Sequence, residues 1–429
     1  MNSRCFACAG RNPRWLRLSV IFALVLVCAI SWATGRDPVA AQETKNISVT
    51  SVRFANGRQA LDIPIRNVDR IVMLRARLND SVDVDLMLDS GLPLEGVMLF
   101  DPEIGELLGL KYSGKISLGG GGSEGAKTAR VAQGGKVGLR GAEFPNQVFY
   151  VCENVGTLGE GLSDGIIGAT VFKSSVVELD FDRSVMNLYD REVFSFAEAG
   201  EPIDMTFVMG IPIITAQVAV SKDRETKLKL LADTGAGAEL ILFPNDSTGI
   251  RPSTKVVEGR FGVGLSGEVV AQYGRIHSAF VGPFTFTNTL AVFPTNGMEQ
   301  VRQILGQDGF FGIELMRRFH VAFDYSGQRL YLKPNARFRQ PFEWNMAGIM
   351  FLTLPDGKRK VFEVISGSPA AEQDVAKNDL VVAVNGKDVS QMDYDQLEGI
   401  LRQDGAKVTI TVERDGKRFD RTLVLRRLI

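Results

Sequence analysis

The sequence predicts a mostly β fold made of two copies of one unit, followed by a small α+β domain. Three landmarks recur at a constant offset of 144 residues within a chain of 429. Helical periodicity is scarce up to residue 335, whereas alternation of apolar and polar residues, the pattern of half-buried strands, is frequent. We expect a leader over 1–41, a linker or short prosegment over 42–60, the two units over 61–196 and 197–336, and the small domain over 343–429.

The first landmark is an apolar strand that ends in Asp, a small hydroxyl residue and Gly, at 89–91 and again at 233–235. The second has the form Asp-Gly-apolar-apolar-Gly, and the third is an apolar-Asp-aromatic triplet. The second landmark begins at 164 and again at 308, and the third begins at 179 and again at 323. A single Asp-Ser-Gly is an ordinary turn sequence. Three matched landmarks at one offset indicate a duplication in which each copy contributes one Asp to a shared site.

Two carboxylates held a few ångströms apart titrate as a pair and share one proton. The ionised Asp can accept a proton from a water that attacks a carbonyl, and the protonated Asp can polarise the carbonyl oxygen. Gly91 and Gly235 allow a tight turn whose N–H groups point at the carboxylates. The hydroxyls of Ser90 and Thr234 can hydrogen-bond across the interface between the copies. This chemistry hydrolyses peptide bonds without a covalent intermediate or a cofactor.

The apolar-apolar-Asp-[Ser/Thr]-Gly motif, with apolar-apolar-Gly about 75 residues later, resembles that of the aspartic peptidases. Over residues 62–335 the chain is most similar to the retropepsin-like type, fused in tandem as in the bilobal pepsins. The resemblance implies two tandem aspartic-protease β-barrel lobes, a cleft for polypeptide substrates between them, and endopeptidase activity. It makes Asp89 and Asp233 the catalytic pair, supported by Ser90, Gly91, Thr234 and Gly235.

The resemblance also implies Gly-rich hairpins that serve as flaps. Each copy has such a stretch, at 119–125 and at 259–267. Tyr273 is a candidate for the tyrosine that such flaps carry. The candidate flap glycines are Gly120, Gly121, Gly264 and Gly267.

One residue departs from the family pattern. The small residue expected after the motif is present as Ala236 in the second copy, whereas the first copy has Leu92. Leu92 motivates an alternative function, a non-catalytic bilobal protein that binds polypeptide in its cleft and keeps the carboxyl-terminal module.

The last segment resembles a PDZ domain of the bacterial secreted-protease type, on residues 348–351, 367–371 and 379–386. The resemblance implies that the loop of Gly348, Ile349, Met350 and Phe351 binds the carboxylate of a peptide C-terminus, and that the following strand pairs with the peptide. Asp374 and Asn378 stand where the family has Gly, and both residue types tolerate left-handed turns. The alternative is a small domain that only packs against the two units.

Two other motifs are rejected as sites. Residues 161–165 fit G-x-S-x-G, but a nucleophile elbow needs a following helix and a His partner. Residues 262–267 fit G-x-G-x-x-G without the strand-helix-strand unit that a dinucleotide site requires. The two scattered histidines, His277 and His320, argue against a zinc site.

The amino terminus predicts a secretory signal peptide. Four arginines precede an apolar run of 11 residues, Val20 to Ile30, which is too short for a comfortable membrane span. Cleavage after Ala33 or Ala41 would give a periplasmic or secreted protein with no stable membrane insertion. The alternative is a membrane anchor formed by an uncleaved leader.

Composition restricts the partners further. A net charge of −1 leaves no basic footprint for nucleic acid. Three of the four cysteines belong to the leader, so Cys152 alone stays in the mature chain and no intramolecular disulfide can form. We expect Cys152 to be a buried apolar residue in a strand.

Overall fold

The computed structural model describes residues 52–154, 163–222, 224–354 and 356–429. The leader at 1–41 and most of the 42–60 segment lie outside these residues. Strands hold 53% of the residues and helices 10%, so the predicted mostly β class is confirmed. Within the described ranges, no helix has the length and apolar character needed to cross a membrane.

The first unit, called unit one below, contains strands β1 to β11 and two short helices. Its helices are α1 (Pro102–Leu107) and α2 (Ala169–Ser174). Its strands are β1 Arg53–Phe54, β2 Gln59–Val68, β3 Ile71–Leu78, β4 Val82–Leu88, β5 Val97–Leu99, β6 Tyr112–Leu118, β7 Lys127–Leu139, β8 Ala142–Cys152, β9 Gly165–Ile167, β10 Val176–Asp180 and β11 Val185–Tyr189.

The second unit, unit two, repeats this order. Its helices are α3 (Glu299–Leu305) and α4 (Ile313–Met316). Its strands are β12 Glu201–Val208, β13 Ile211–Ser221, β14 Arg224–Asp233, β15 Leu240–Leu242, β16 Val257–Gly264, β17 Gly267–Val281, β18 Phe284–Asn296, β19 Gly309–Gly312, β20 Phe319–Asp324 and β21 Arg329–Pro334.

Equivalent strands pair in equivalent ways in the two units. The strand before each motif Asp runs parallel to the short strand of the second landmark, β4 with β9 and β14 with β19. The Asp that opens the second landmark fixes this pairing, because Asp164 accepts the Asp85 amide at 2.8 Å and Asp308 accepts the Lys229 amide at 2.9 Å. These two carboxylates therefore have a structural role that explains their place in the duplicated pattern.

A continuous sheet joins the two units. Strand β10 pairs antiparallel with β20, with Val177 opposite Phe323 and Leu179 opposite Val321. The sheet extends outward through β11 to β2 on one side and through β21 to β12 on the other. The third landmark thus lies at the junction, and its apolar residues belong to one core shared by both units.

The carboxyl-terminal domain forms a second sheet with helices α5 (Pro369–Glu372) and α6 (Tyr394–Leu401) and a 3-10 turn at Val389–Gln391. Ser368 caps α5, with Pro369 at its first position, and Asp393 and Gln396 form a capping box at α6. The strands are β22 Ile349–Thr353, β23 Arg359–Val364, β24 Leu380–Val384, β25 Lys387–Asp388, β26 Lys407–Arg414 and β27 Lys417–Val424.

Asp374 and Asn378 have φ angles of 56° and 75°, the left-handed conformation that their residue types tolerate.

Cys152 is buried in β8, and burial raises the pKa of its thiol to about 12, so it is an apolar core residue as predicted. The first two residues of the 161–165 motif lie outside the described residues, and the Ser163 hydroxyl is engaged by its own turn at Gly165.

Candidate active site

Both motif aspartates lie at the ends of their strands in tight turns. The Gly91 amide donates to Asp89 Oδ1 at 2.7 Å, and the Gly235 amide donates to Asp233 Oδ1 at 2.8 Å. Both Asp side chains are fully buried. The tripeptide therefore holds one carboxylate oxygen by a main-chain donor and leaves the other oxygen free for chemistry.

The turns of the two units press against each other. A Cβ atom at Gly91 would lie 2.7 Å from Asp233 Oδ2, and one at Gly235 would lie 2.6 Å from Asp89 Cγ. Each glycine thus admits the carboxylate of the opposite unit to a distance that no side chain would allow. The structure brings the two aspartates, predicted from the duplication, into one site.

A symmetric set of hydrogen bonds holds the two turns together. Thr234 Oγ1 accepts the Ser90 amide at 2.9 Å and donates to the Leu88 carbonyl at 2.8 Å. Ser90 Oγ accepts the Thr234 amide at 2.9 Å and donates to the Ala232 carbonyl at 2.8 Å. All four bonds cross from one unit to the other, so the two hydroxyls fix the spacing of the carboxylates.

Replacing Thr234 by Val should destabilise the protein strongly, because Val keeps the shape but removes a donor and an acceptor in a buried site. The Ser90 amide and the Leu88 carbonyl would both lose their partner. We expect a loss of about 2–4 kcal/mol in the free energy of unfolding, measured by chemical denaturation.

The matched control is Thr215→Val on β13, because Thr215 is exposed. Its expected effect is below about 0.5 kcal/mol. Equal losses in the two variants would contradict the structural role of the Thr234 hydroxyl.

The electrostatics of the pair favour a retained proton. Burial, and repulsion by Asp233, raise the pKa of Asp89 well above its ordinary value. Burial raises the pKa of Asp233 to about 6, against the lowering effect of the Gly235 amide and of Asp89. No donor in the described part of the chain reaches Asp89 Oδ2 or Asp233 Oδ2. One proton between these oxygens would satisfy both.

The raised pKa values predict how stability depends on pH. A carboxyl whose pKa is higher in the folded state than in the unfolded chain stabilises the fold at low pH, and this contribution is lost as the pH rises through the folded pKa. Asn at position 89 can still accept the Gly91 amide but carries no charge. The Asp89→Asn variant should therefore be more stable than wild type at pH 7–8, by about 1–3 kcal/mol.

The advantage of the Asn variant should shrink as the pH falls from 7 toward 4, because the wild-type pair then takes up protons. Denaturation curves at several pH values measure it. A difference that is constant with pH would show that the pair is not perturbed.

Leu92 is accommodated without distortion of its turn. The Leu92 carbonyl accepts the Ala169 amide at 3.1 Å, and the Ala236 carbonyl accepts the Ile313 amide at 2.9 Å, at equivalent positions 144 residues apart. Leu92 itself is buried in the core shared by the units. The larger side chain thus packs inward, and the main chain of the first turn matches that of the second.

Tyr325 is a site residue that the sequence did not single out. Its hydroxyl donates to the Ser90 carbonyl at 3.3 Å from a buried position, and its ring stacks on Phe172. The equivalent residue in unit one is Phe181, which has no hydroxyl. This Tyr–Phe difference within the duplicated triplet is the signal that would have indicated a polar role.

The candidate flap glycines lie in two hairpins, β6–β7 and β16–β17, whose tips meet. The Ser266 amide donates to the Gly121 carbonyl at 2.8 Å, and the Glu124 amide donates to the Ser266 carbonyl at 2.6 Å. A Cβ at Gly264 would lie 2.2 Å from the Gly121 carbonyl oxygen, and one at Gly267 would overlap Glu124. Gly120 donates to Ser266 Oγ at 3.3 Å. The two Gly-rich stretches thus contact each other across the units.

The suggestion of Tyr273 as a flap tyrosine is wrong. Tyr273 lies in β17 opposite Val257, at the far end of the hairpin from its tip. Its ring packs 5.3 Å from that of Trp344, and its hydroxyl contacts Met350 Sδ of the carboxyl-terminal domain at 3.5 Å. Its position near a Gly-rich stretch gave no information on which end of the hairpin it occupies.

A comparison with protein families identifies a PDZ domain at residues 361–414. This range begins within β23, ends with β26 and includes α6, and a PDZ domain is a peptide-binding module. The predicted carboxylate loop precedes it, with Gly348 at a φ of 71° and Ile349, Met350 and Phe351 at the start of β22.

Among the described residues, no group of three or more His, Cys, Asp or Glu is placed to hold a metal ion.

Proposed function

We propose that the protein is an aspartic endopeptidase that hydrolyses peptide bonds by activating a water between Asp89 and Asp233. The observation that carries the proposal is the pair of buried Oδ2 atoms that no main-chain or side-chain donor in the described residues satisfies. A shared proton would satisfy two such oxygens, and a water bound to both acids would be placed for activation. The resemblance to the retropepsin-like peptidases supports the same function.

The proposed reaction assigns one role to each acid. Asp89, whose pKa is raised the more strongly, holds the proton and donates it to the carbonyl oxygen of the scissile bond. Asp233 accepts a proton from the water as the water oxygen attacks the carbonyl carbon. As the gem-diol collapses, Asp233 returns that proton to the leaving nitrogen, the C–N bond breaks, and Asp89 recovers its proton from a diol hydroxyl. Atoms and charge balance without a covalent intermediate.

Substrate binding requires the two units to open. Both carboxylates are fully buried, so a polypeptide cannot reach them in this conformation. The hydrogen bonds between the hairpin tips, at Gly121 and Ser266, are few and can be replaced by water or substrate. We propose that the tips separate to admit the chain and meet again around it, which excludes water from the reacting bond.

Digestion of an unstructured protein substrate across pH 3–8 tests the proposal, with products sequenced by mass spectrometry. Cleavage should be internal to the substrate and blocked by a peptide inhibitor with a hydroxyl in place of the scissile carbonyl. If the protein binds the polypeptide but cleaves it at none of the pH values tested, the non-catalytic polypeptide-binding alternative would be favoured instead.

The PDZ domain would add a second peptide contact. We propose that it binds substrate or partner tails and so raises the local concentration of polypeptide at the cleft. The protein would act in the periplasm or outside the cell after leader cleavage. Mass spectrometry of the mature amino terminus distinguishes this from a form anchored by its leader.

A further inference from the structure

The hairpin turn between β2 and β3 of unit one is unusual because its charged residues are buried. Asp69 is 2% exposed and Arg70 is 8% exposed. Charged residues at the tip of a hairpin are normally solvated. This turn instead lies between β22 and α6 of the PDZ domain.

Asp69 occupies the free edge of β22. Its Oδ2 accepts the Thr353 amide at 2.8 Å, and its Oδ1 accepts the Thr353 hydroxyl at 2.6 Å. In the described part of the chain, β22 pairs with β23 alone, so its other edge is open to a further partner. Peptides bind PDZ domains by adding to a sheet edge of this kind. The carboxylate thus takes a donor that a bound peptide would use.

Arg70 contacts α6, on the other side of the turn from β22. Its Nε donates to the Tyr394 hydroxyl at 2.6 Å, and its Nη2 lies 3.9 Å from Glu398 Oε2. Glu398 is itself buried and is held by Arg402 at 3.0 Å and by Asn345 at 3.0 Å. The turn therefore places its acid against the strand and its base against the helix.

The backbone of the turn is unfavourable for Arg70. Asp69 and Arg70 have φ angles of 49° and 66°, and two-residue hairpin turns of this conformation prefer Asn or Asp at the first position but Gly at the second. The turn at the same place in unit two, Met209-Gly210, has Gly at the second position and leaves Met209 52% exposed. An Arg with a positive φ is less favourable than Gly, because its Cβ lies close to a carbonyl oxygen of the main chain. Its contacts with α6 offset this cost.

We propose that the Asp69–Arg70 turn is an internal ligand of the PDZ groove formed by β22 and α6, so that a peptide binds there only by displacing it. The groove then selects a peptide with adjacent acidic and basic side chains, the acid for Thr353 and the base for Tyr394 and Glu398. This inference goes beyond the proposed peptidase function and does not depend on it.

The surroundings of the turn leave room for an incoming chain. A cleft of about 550 Å³ opens beside it, between unit one and the PDZ domain. Its lining includes Asn67, Val68, Thr353, Asp393 and Tyr394. A competing peptide can therefore contact β22 and α6 at one end of the groove before it displaces the Asp69–Arg70 turn.

The test uses the full chain with the double substitution Asp69→Gly and Arg70→Gly. Gly-Gly suits the turn, so the hairpin keeps its fold while the side-chain contacts with the PDZ domain are lost. The probe is a fluorescent cyclic peptide of residues 65–74, which carries the Asp-Arg turn. Both proteins also carry Asp89→Asn so that the probe cannot be cleaved.

The double variant should bind the probe at least tenfold more tightly than the protein with the native turn, by fluorescence anisotropy. A probe with Gly-Gly in place of Asp-Arg should not bind. The control Asp80→Gly, in the exposed β3–β4 turn, should leave the affinity unchanged. Equal affinities of the two proteins, or no binding to the released groove, would overturn the proposal.

Hydrogen exchange gives a readout without any probe. The Thr353 amide should exchange at least tenfold faster in the double variant, while amides in the β26–β27 pair should be unchanged. Protection of Thr353 that is independent of the turn would also overturn the proposal. Neither experiment measures peptide cleavage, so each can succeed or fail independently of the peptidase assignment.

Discussion

In the proposed peptidase reaction, replacing Asp233 by Asn is expected to lower kcat/KM for peptide cleavage at least about 10³-fold. Asn keeps the hydrogen bond from the Gly235 amide and the shape of the buried site, but it cannot accept the proton of the attacking water. Asp89→Asn should be as damaging, because the proton donor to the carbonyl oxygen is then lost. Since the two acids act as one unit, the double variant should be no slower than either single variant.

The control for charge removal is Asp246→Asn, because Asp246 is exposed and pairs only with Arg251 among the described residues. This variant should cleave at the wild-type rate. Normal cleavage by the Asp233→Asn protein would exclude the shared site, whatever the outcome at Asp89.

Replacing Gly235 by Ala is expected to reduce activity at least about 10²-fold with both acids still present, because catalysis depends on their spacing. The added methyl would lie 2.6 Å from Asp89 Cγ, inside van der Waals contact. The Asp89 carboxylate is held on its other side by the Gly91 amide, so the two turns must separate. Overpacking of this kind also costs about 1–3 kcal/mol of stability.

The control for glycine replacement is Gly399→Ala in α6, where an added Cβ meets no other atom within 4 Å. Ala at an open helical position should stabilise the protein by up to about 1 kcal/mol and leave cleavage unchanged. Full activity of the Gly235→Ala protein would show that the carboxylates are not in the close contact described.

The aspartate pair was predictable because the two copies of the duplicated unit carry the same motifs at the same positions in the sequence. The fixed offset of 144 residues identified Asp89 and Asp233 as equivalent, and the Asp-Gly landmarks lie at equivalent sheet positions. The side-chain roles of Ser90 and Thr234 followed from their place beside the acids. Such local patterns, repeated twice, carry information about a site that neither copy forms alone.

The contacts between the units and the PDZ domain were not predictable from the same patterns. Arg70 and Tyr394 are 324 residues apart in sequence, and Tyr394 belongs to a domain that is not part of the duplication. The contacts of Tyr273, first considered as a flap tyrosine, were not predictable for the same reason, since its partners Trp344 and Met350 come from another domain. The charged Asp69-Arg70 turn, where Gly is preferred, was the one local sign of such a contact.

Infrared difference spectroscopy of the carboxyl groups is the most direct test of the central claim, that Asp89 and Asp233 share one proton. Wild type minus Asp89→Asn at pH 7 should show the C=O stretch of one protonated carboxyl, and Asp233→Asn should shift that band. Two ionised carboxylates at pH 7, or a band that is indifferent to Asp233, would contradict the account.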